Sequence, residues 1–110
     1  MILRLKKKWF DKIKSGEKTH EYRIVKDYWI KRFSKVFTEP DKTATFMKDV
    51  SYYVFHPINC TLILTCGYPK REEKDKFIEA EVKTITIRNG KDTDLEYDGK
   101  VFDIEFEIKW

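Results

Sequence analysis

Apolar positions alternate, then wind, then alternate again along this chain. Leu3 and Leu5 alternate with Ile2 and Arg4 as a short strand requires, and Trp9, Phe10 and Ile13 then recur at helical spacing among Lys6, Lys7, Lys8, Lys12 and Lys14. Gly16 suits the left-handed position that ends such a helix. Residues Thr19-His20-Glu21-Tyr22-Arg23-Ile24-Val25 are rich in β-formers and predict a second strand. Asp27 can cap a second helix. Trp29, Ile30, Phe33, Val36 and Phe37 make an apolar stripe at i, i+1, i+4, i+7, i+8, which predicts that this helix is amphipathic, with Lys31, Arg32 and Lys35 on its wet side.

Residues 38–49 show no period and carry Pro40 and Asp41, so they read as a loop. Strands dominate beyond it. Two β-rich runs, 50–55 and 60–66, are separated by the turn His56-Pro57-Ile58-Asn59. In the run 77–87, Ile78, Ala80 and Val82 share one parity and Ile85 and Ile87 the other, so a bulge or bend interrupts a long strand. After a polar turn at 89–99, Phe102, Ile104, Phe106, Ile108 and Trp110 alternate with Asp103, Glu105, Glu107 and Lys109. The pattern predicts an α+β fold of five or six strands, with two helices in the N-terminal half. Its curved mixed sheet is expected to close into a small β-barrel.

Length allows one domain, 1–110, because 110 residues cannot supply a second core. Aromatics make up 15% of the chain beside 38% charged residues, a combination that disordered chains lack. No apolar run nears the ~20 residues of a membrane span, so a cytoplasmic location without membrane contact is expected. Cys60 and Cys66 flank a strand that holds them roughly 20 Å apart, well beyond the ~7 Å Cα reach of a disulfide. They are expected to be reduced thiols. With His20 and His56 they have no finger-like spacing, so neither a metal nor another cofactor is expected.

Charge is distributed unevenly. Residues 1–35 hold 12 Lys/Arg against 4 Asp/Glu, and the remaining residues hold 11 against 15. Such asymmetry marks either a surface for polyanions or a solvated lysine face. The segment Gly16-Glu17-Lys18-Thr19-His20-Glu21-Tyr22-Arg23 concentrates the chemistry, at the exit from a helix into a strand. Strand alternation points Glu21 and Arg23 to one face, where the acid can hold the arginine fork for a phosphate, carboxylate or base edge. The other reading is an exposed Glu21–Arg23 ion pair of under ~1 kcal/mol. Because exposed charges add little stability, Lys18→Ala or Arg23→Ala is expected to weaken ligand binding severalfold while leaving the melting temperature nearly unchanged. Lys18, in the turn, can reach the same cleft.

Gly16-x-Lys18-x-x-Glu21-x-Arg23 resembles the G-x-K-x-x-E-x-R motif of the ASCH domain, a relative of the PUA-like barrel fold. Leu5 to Ile13 looks like the family's first helix, and Tyr28-Trp29-Ile30-Lys31-Arg32 resembles a helix of its small bacterial and phage members. Gly67-Tyr68 and the strand 77–87 are also similar. Two features depart from those members, Asp94-Leu95-Glu96-Tyr97 and Phe106-Glu107-Ile108 standing where they carry a Trp-Gly-Ala-like stretch and a Leu-Gly pair. The resemblance implies an electropositive cleft formed around Lys18, Glu21 and Arg23 that binds RNA or a nucleotide. Some members look like enzymes, among them a ribonuclease and an amidohydrolase of acylated cytidine with a Lys and a Thr three residues apart. At that spacing from Lys18 this chain has Glu21, which could serve a small hydrolase as a general base but not as a hydroxyl nucleophile.

Three functions therefore stand open: an RNA- or nucleotide-binding module, a small hydrolase in the same cleft with Lys18 and Glu21 as catalytic candidates, and a domain docking an acidic protein through its basic helices. Lys6, Lys7, Lys8 and Arg32 are candidate phosphate contacts, or else a solvated face. Tyr22, Tyr28, Tyr52, Tyr53 and Tyr68 are candidate base platforms or core packing, and Tyr68, after a glycine at a strand end, is favoured.

Overall fold

A computed structural model of the protein describes residues 1–33, 53–55 and 60–109. Along them run β1 (Ile2–Leu5), α1 (Lys7–Lys14), β2 (His20–Ile24), α2 (Asp27–Phe33), β3 (Tyr53–Phe55), β4 (Thr61–Cys66), β5 (Phe77–Asn89) and β6 (Lys100–Ile108). This is the small α+β fold that the hydropathy pattern predicts. Lys35, Val36, Phe37, the loop 38–49, Tyr52, the turn 56–59 and Trp110 lie outside the described residues.

Five strands lie in the order β1-β4-β5-β6-β2, and β3 pairs with β5 beside that path. The β1–β4 pair is parallel and the other pairs are antiparallel. The parity break in β5 is a bulge: Val82 stands opposite Phe106 and Thr84 opposite Glu105, leaving Lys83 as the extra residue. One inserted residue turns the strand's second half over. Ile78, Ala80, Val82, Ile85 and Ile87 are consequently all buried.

They form the core with Leu3, Leu62, Leu64, Phe102 and Ile104 of the sheet, Phe10 and Ile13 of α1, and Ile30 and Phe33 of α2. The Phe33 ring meets Phe102 edge-on at 4.7 Å and fastens α2 to β6. Each such side chain contributes roughly 1.5–3 kcal/mol by leaving water.

The expected barrel does not close. β1 and β2 end the path as its two edges and share no ladder. In an extended strand the carbonyls of alternate residues point the same way; the Met1 and Leu5 carbonyls accept from Ile63 of β4 and from Gly67 just after it, so those of Ile2 and Arg4 face away from β4. Side chains cover them. Arg23 of β2 donates to the Arg4 carbonyl at 3.3 Å and Arg32 of α2 to the Ile2 carbonyl at 3.4 Å. Guanidiniums fill the gap where a barrel would place a backbone ladder.

α1 delivers the motif to β2. Gly16 has φ +87°, the left-handed conformation predicted for it, and its N–H donates to the Ile13 carbonyl at 3.0 Å. The Lys18 N–H returns to the Lys12 carbonyl at 3.1 Å. These two bonds satisfy the helix end and set Lys18 at the foot of β2.

Candidate functional site

Glu21 is the hub of the motif. It stands opposite Ile104 of β6 and is 5% exposed. Its Oε1 accepts from the Tyr22 N–H at 3.0 Å, lies 3.2 Å from Arg23 Nη1 and 3.9 Å from Lys18 Nζ. Glu21 and Arg23 meet as strand alternation predicts, and Lys18 reaches Glu21 from the turn before β2. The exposed-pair reading fails, because the side chains of Lys18 and Arg23 are 8% and 17% exposed. With it goes the expectation that removing either cation would leave stability unchanged, since loss of a partner strands a buried charge.

The two cations open onto different cavities rather than one cleft. Lys18 lines a cavity of about 280 Å³ with Trp9, Lys12, Glu17, Thr19, His20, Tyr22 and Asp94. Its ammonium is paired with Asp94 and lies 4.9 Å from the Trp9 ring centre and 5.0 Å from that of Tyr22. Positive and negative groups are mixed here. His20 Nδ1 is 2.6 Å from Oδ1 of the buried Asp103, whose other oxygen is 3.4 Å from Arg88. Burial, followed by the negative charges of Asp103 and Asp94, pushes the Tyr22 phenol up, so it stays a neutral donor.

The second cavity, about 600 Å³, is lined by Met1, Ile2, Arg4, Arg23, Tyr28, Trp29, Arg32 and Tyr68. None of these described lining residues is acidic. Arg4, on the outward face of β1, lies 4.3 Å from the Tyr68 ring centre. Arg23 lies 5.3 Å from that of Trp29. Arg32 stacks on Tyr28 and Trp29 at 5.4 and 5.6 Å and donates to the Tyr28 hydroxyl at 3.1 Å. Among the described residues its buried Nε has no hydrogen-bond partner. Tyr68 is 84% exposed and follows Gly67, whose φ of +63° turns the chain at the end of β4.

The helical stripe predicts a free Arg32 on the wet side of α2; instead it bonds to β1 and to Tyr28, because the helix is tucked against the sheet edge. Arg23 and Tyr68 meet at this cavity, Lys18 lies at the other, and Glu21 sits behind both. Lys6, Lys7 and Lys8 line neither. Lys7 is 2.6 Å from Asp11, a hydrogen bond that pushes its ammonium up, and Lys8 lies 4.7 Å from the Trp9 ring centre.

Local sequence pattern does not single out Arg4, Asp94 or the His20–Asp103 pair. Arg4 carries one signal, its polar place in an alternating strand. Asp94 is 76 residues from Lys18, a pairing no local pattern encodes.

No family model, curated protein or solved structure matches this chain. Among the described residues no helix is long and apolar enough to cross a membrane, and no group of three or more His, Cys, Asp or Glu is placed to hold a metal ion.

Proposed function

We propose that the protein binds a nucleotide or single-stranded RNA beside the Gly16-to-Arg23 motif, with phosphate in the arginine-lined cavity. The observation that carries this reading is three guanidiniums around one cavity with no acid among its described lining residues. Planar forks suit phosphate oxygens. Tyr68 and Tyr28, both exposed, offer faces on which an unpaired base can stack. The motif's resemblance to the ASCH domain supports the same reading.

The test is a binding titration of single-stranded RNA, duplex RNA, free nucleosides and polyglutamate at two salt concentrations. Single-stranded RNA is expected to bind most tightly and to weaken steeply with salt. Equal or tighter binding of polyglutamate would replace this reading with docking of an acidic protein.

A second reading, a small hydrolase in the Lys18 cavity, is favoured by the His20–Asp103 pair. A buried carboxylate that holds one ring nitrogen leaves the other to take a proton from water. Hydrolysis of RNA or of an acylated nucleoside, lost in His20→Asn, would support it.

A further inference from the structure

The charges around the arginine cavity do not cancel. Arg23 is offset by Glu21 at 3.2 Å. The partners of Arg4 and Arg32 among the described residues are neutral: the Tyr68 ring for Arg4, and the Ile2 carbonyl, the Tyr28 hydroxyl and two rings for Arg32. Among the described residues, two positive charges at this cavity have no acidic partner and can meet a ligand. A phosphodiester brings one negative charge, whereas a phosphate monoester at neutral pH brings about −1.5 to −2 and three strong acceptor oxygens.

The geometry points to a phosphate monoester as the group this cavity selects, carried either by a free nucleotide or by the phosphorylated end of an RNA. This deepens the nucleotide-binding reading and rests on it. Arg23 and Arg32 are already held by the carbonyls of β1, so ordering them costs a ligand little. The volume of about 600 Å³ lies within the range of small-ligand sites. Arg4 covers one face of the exposed Tyr68 ring and leaves the other for a base.

The test compares random-sequence RNA hexamers bearing a 5′-phosphate or a 5′-hydroxyl with an equimolar mixture of the four ribonucleoside 5′-monophosphates, by calorimetric titration. The 5′-phosphorylated hexamer is expected to bind at least tenfold more tightly than the hydroxyl form. Monophosphates that match it would assign the cavity to free nucleotides, and a further tenfold gain for the hexamer would assign it to RNA ends. Arg32→Lys, which keeps the charge but loses the planar fork, is expected to cut the preference for the 5′-phosphorylated hexamer below twofold. Equal binding of both hexamers to the parent, or an undiminished preference in Arg32→Lys, would overturn the monoester assignment and leave RNA binding intact. If no probe binds, the nucleotide reading itself fails.

Discussion

Arg23 donates through Nη2 to the Arg4 carbonyl, 3.3 Å away, and so ties together the two edge strands of an open sheet. The same guanidinium stands 3.2 Å from the buried Glu21 carboxylate. Arg23→Ala should therefore destabilise the protein by about 2–4 kcal/mol, since it strands a buried charge. Adding Glu21→Gln should recover part of that loss in a double-mutant cycle read by urea denaturation. A single mutant as stable as the parent would show that the edges hold without the arginine.

Lys18 and the arginines face separate cavities, so their substitutions should separate too. Lys18→Met keeps the aliphatic packing between Trp9 and Tyr22 and leaves Glu21 with Arg23. Affinity for single-stranded RNA should stay within about twofold, with a stability loss of about 1 kcal/mol. If Lys18→Met abolishes binding, the phosphate site belongs in the Lys18 cavity.

Gly16→Ala tests the turn that delivers the motif. Nothing lies within 4 Å of an added Cβ, so the penalty comes from the backbone alone, at φ +87°. It should amount to about 1 kcal/mol and appear as a lower Tm. An unchanged Tm would mean that the turn relaxes to a right-handed form.

The two thiols should differ in reactivity. Cys60 is buried and its thiol is pushed up by that burial, which disfavours the reactive thiolate, whereas Cys66 is partly exposed. Iodoacetamide at mildly alkaline pH should label Cys66 first and Cys60 only after unfolding, as peptide mass mapping would show. Equal labelling of both in the native state would contradict the placement of Cys60 in the core.

Local period is legible in the sequence and long-range closure is not. The parity break between Val82 and Ile85 announces the Lys83 bulge, Gly16 announces its turn, and alternation puts Glu21 and Arg23 on one face. Each of these is set by a few adjacent residues. Barrel closure fails as an expectation because it depends on how β1 and β2, neighbours in sequence but opposite ends of the strand path, meet across a gap. Arg4, Arg32 and Tyr68 share a cavity for the same reason. Their meeting comes from strand order, which no single element encodes.

The most direct test of phosphate binding by the arginine cavity is the salt dependence of single-stranded RNA affinity in the parent and in Arg4→Gln/Arg32→Gln. Each phosphate contact adds about 0.7 to the slope of log affinity against log salt for a single strand. The double variant should bind more weakly, with a slope flatter by about 1.4 and with all sequences affected alike. Parallel lines of equal affinity for parent and variant would contradict the placement of RNA phosphates at Arg4 and Arg32.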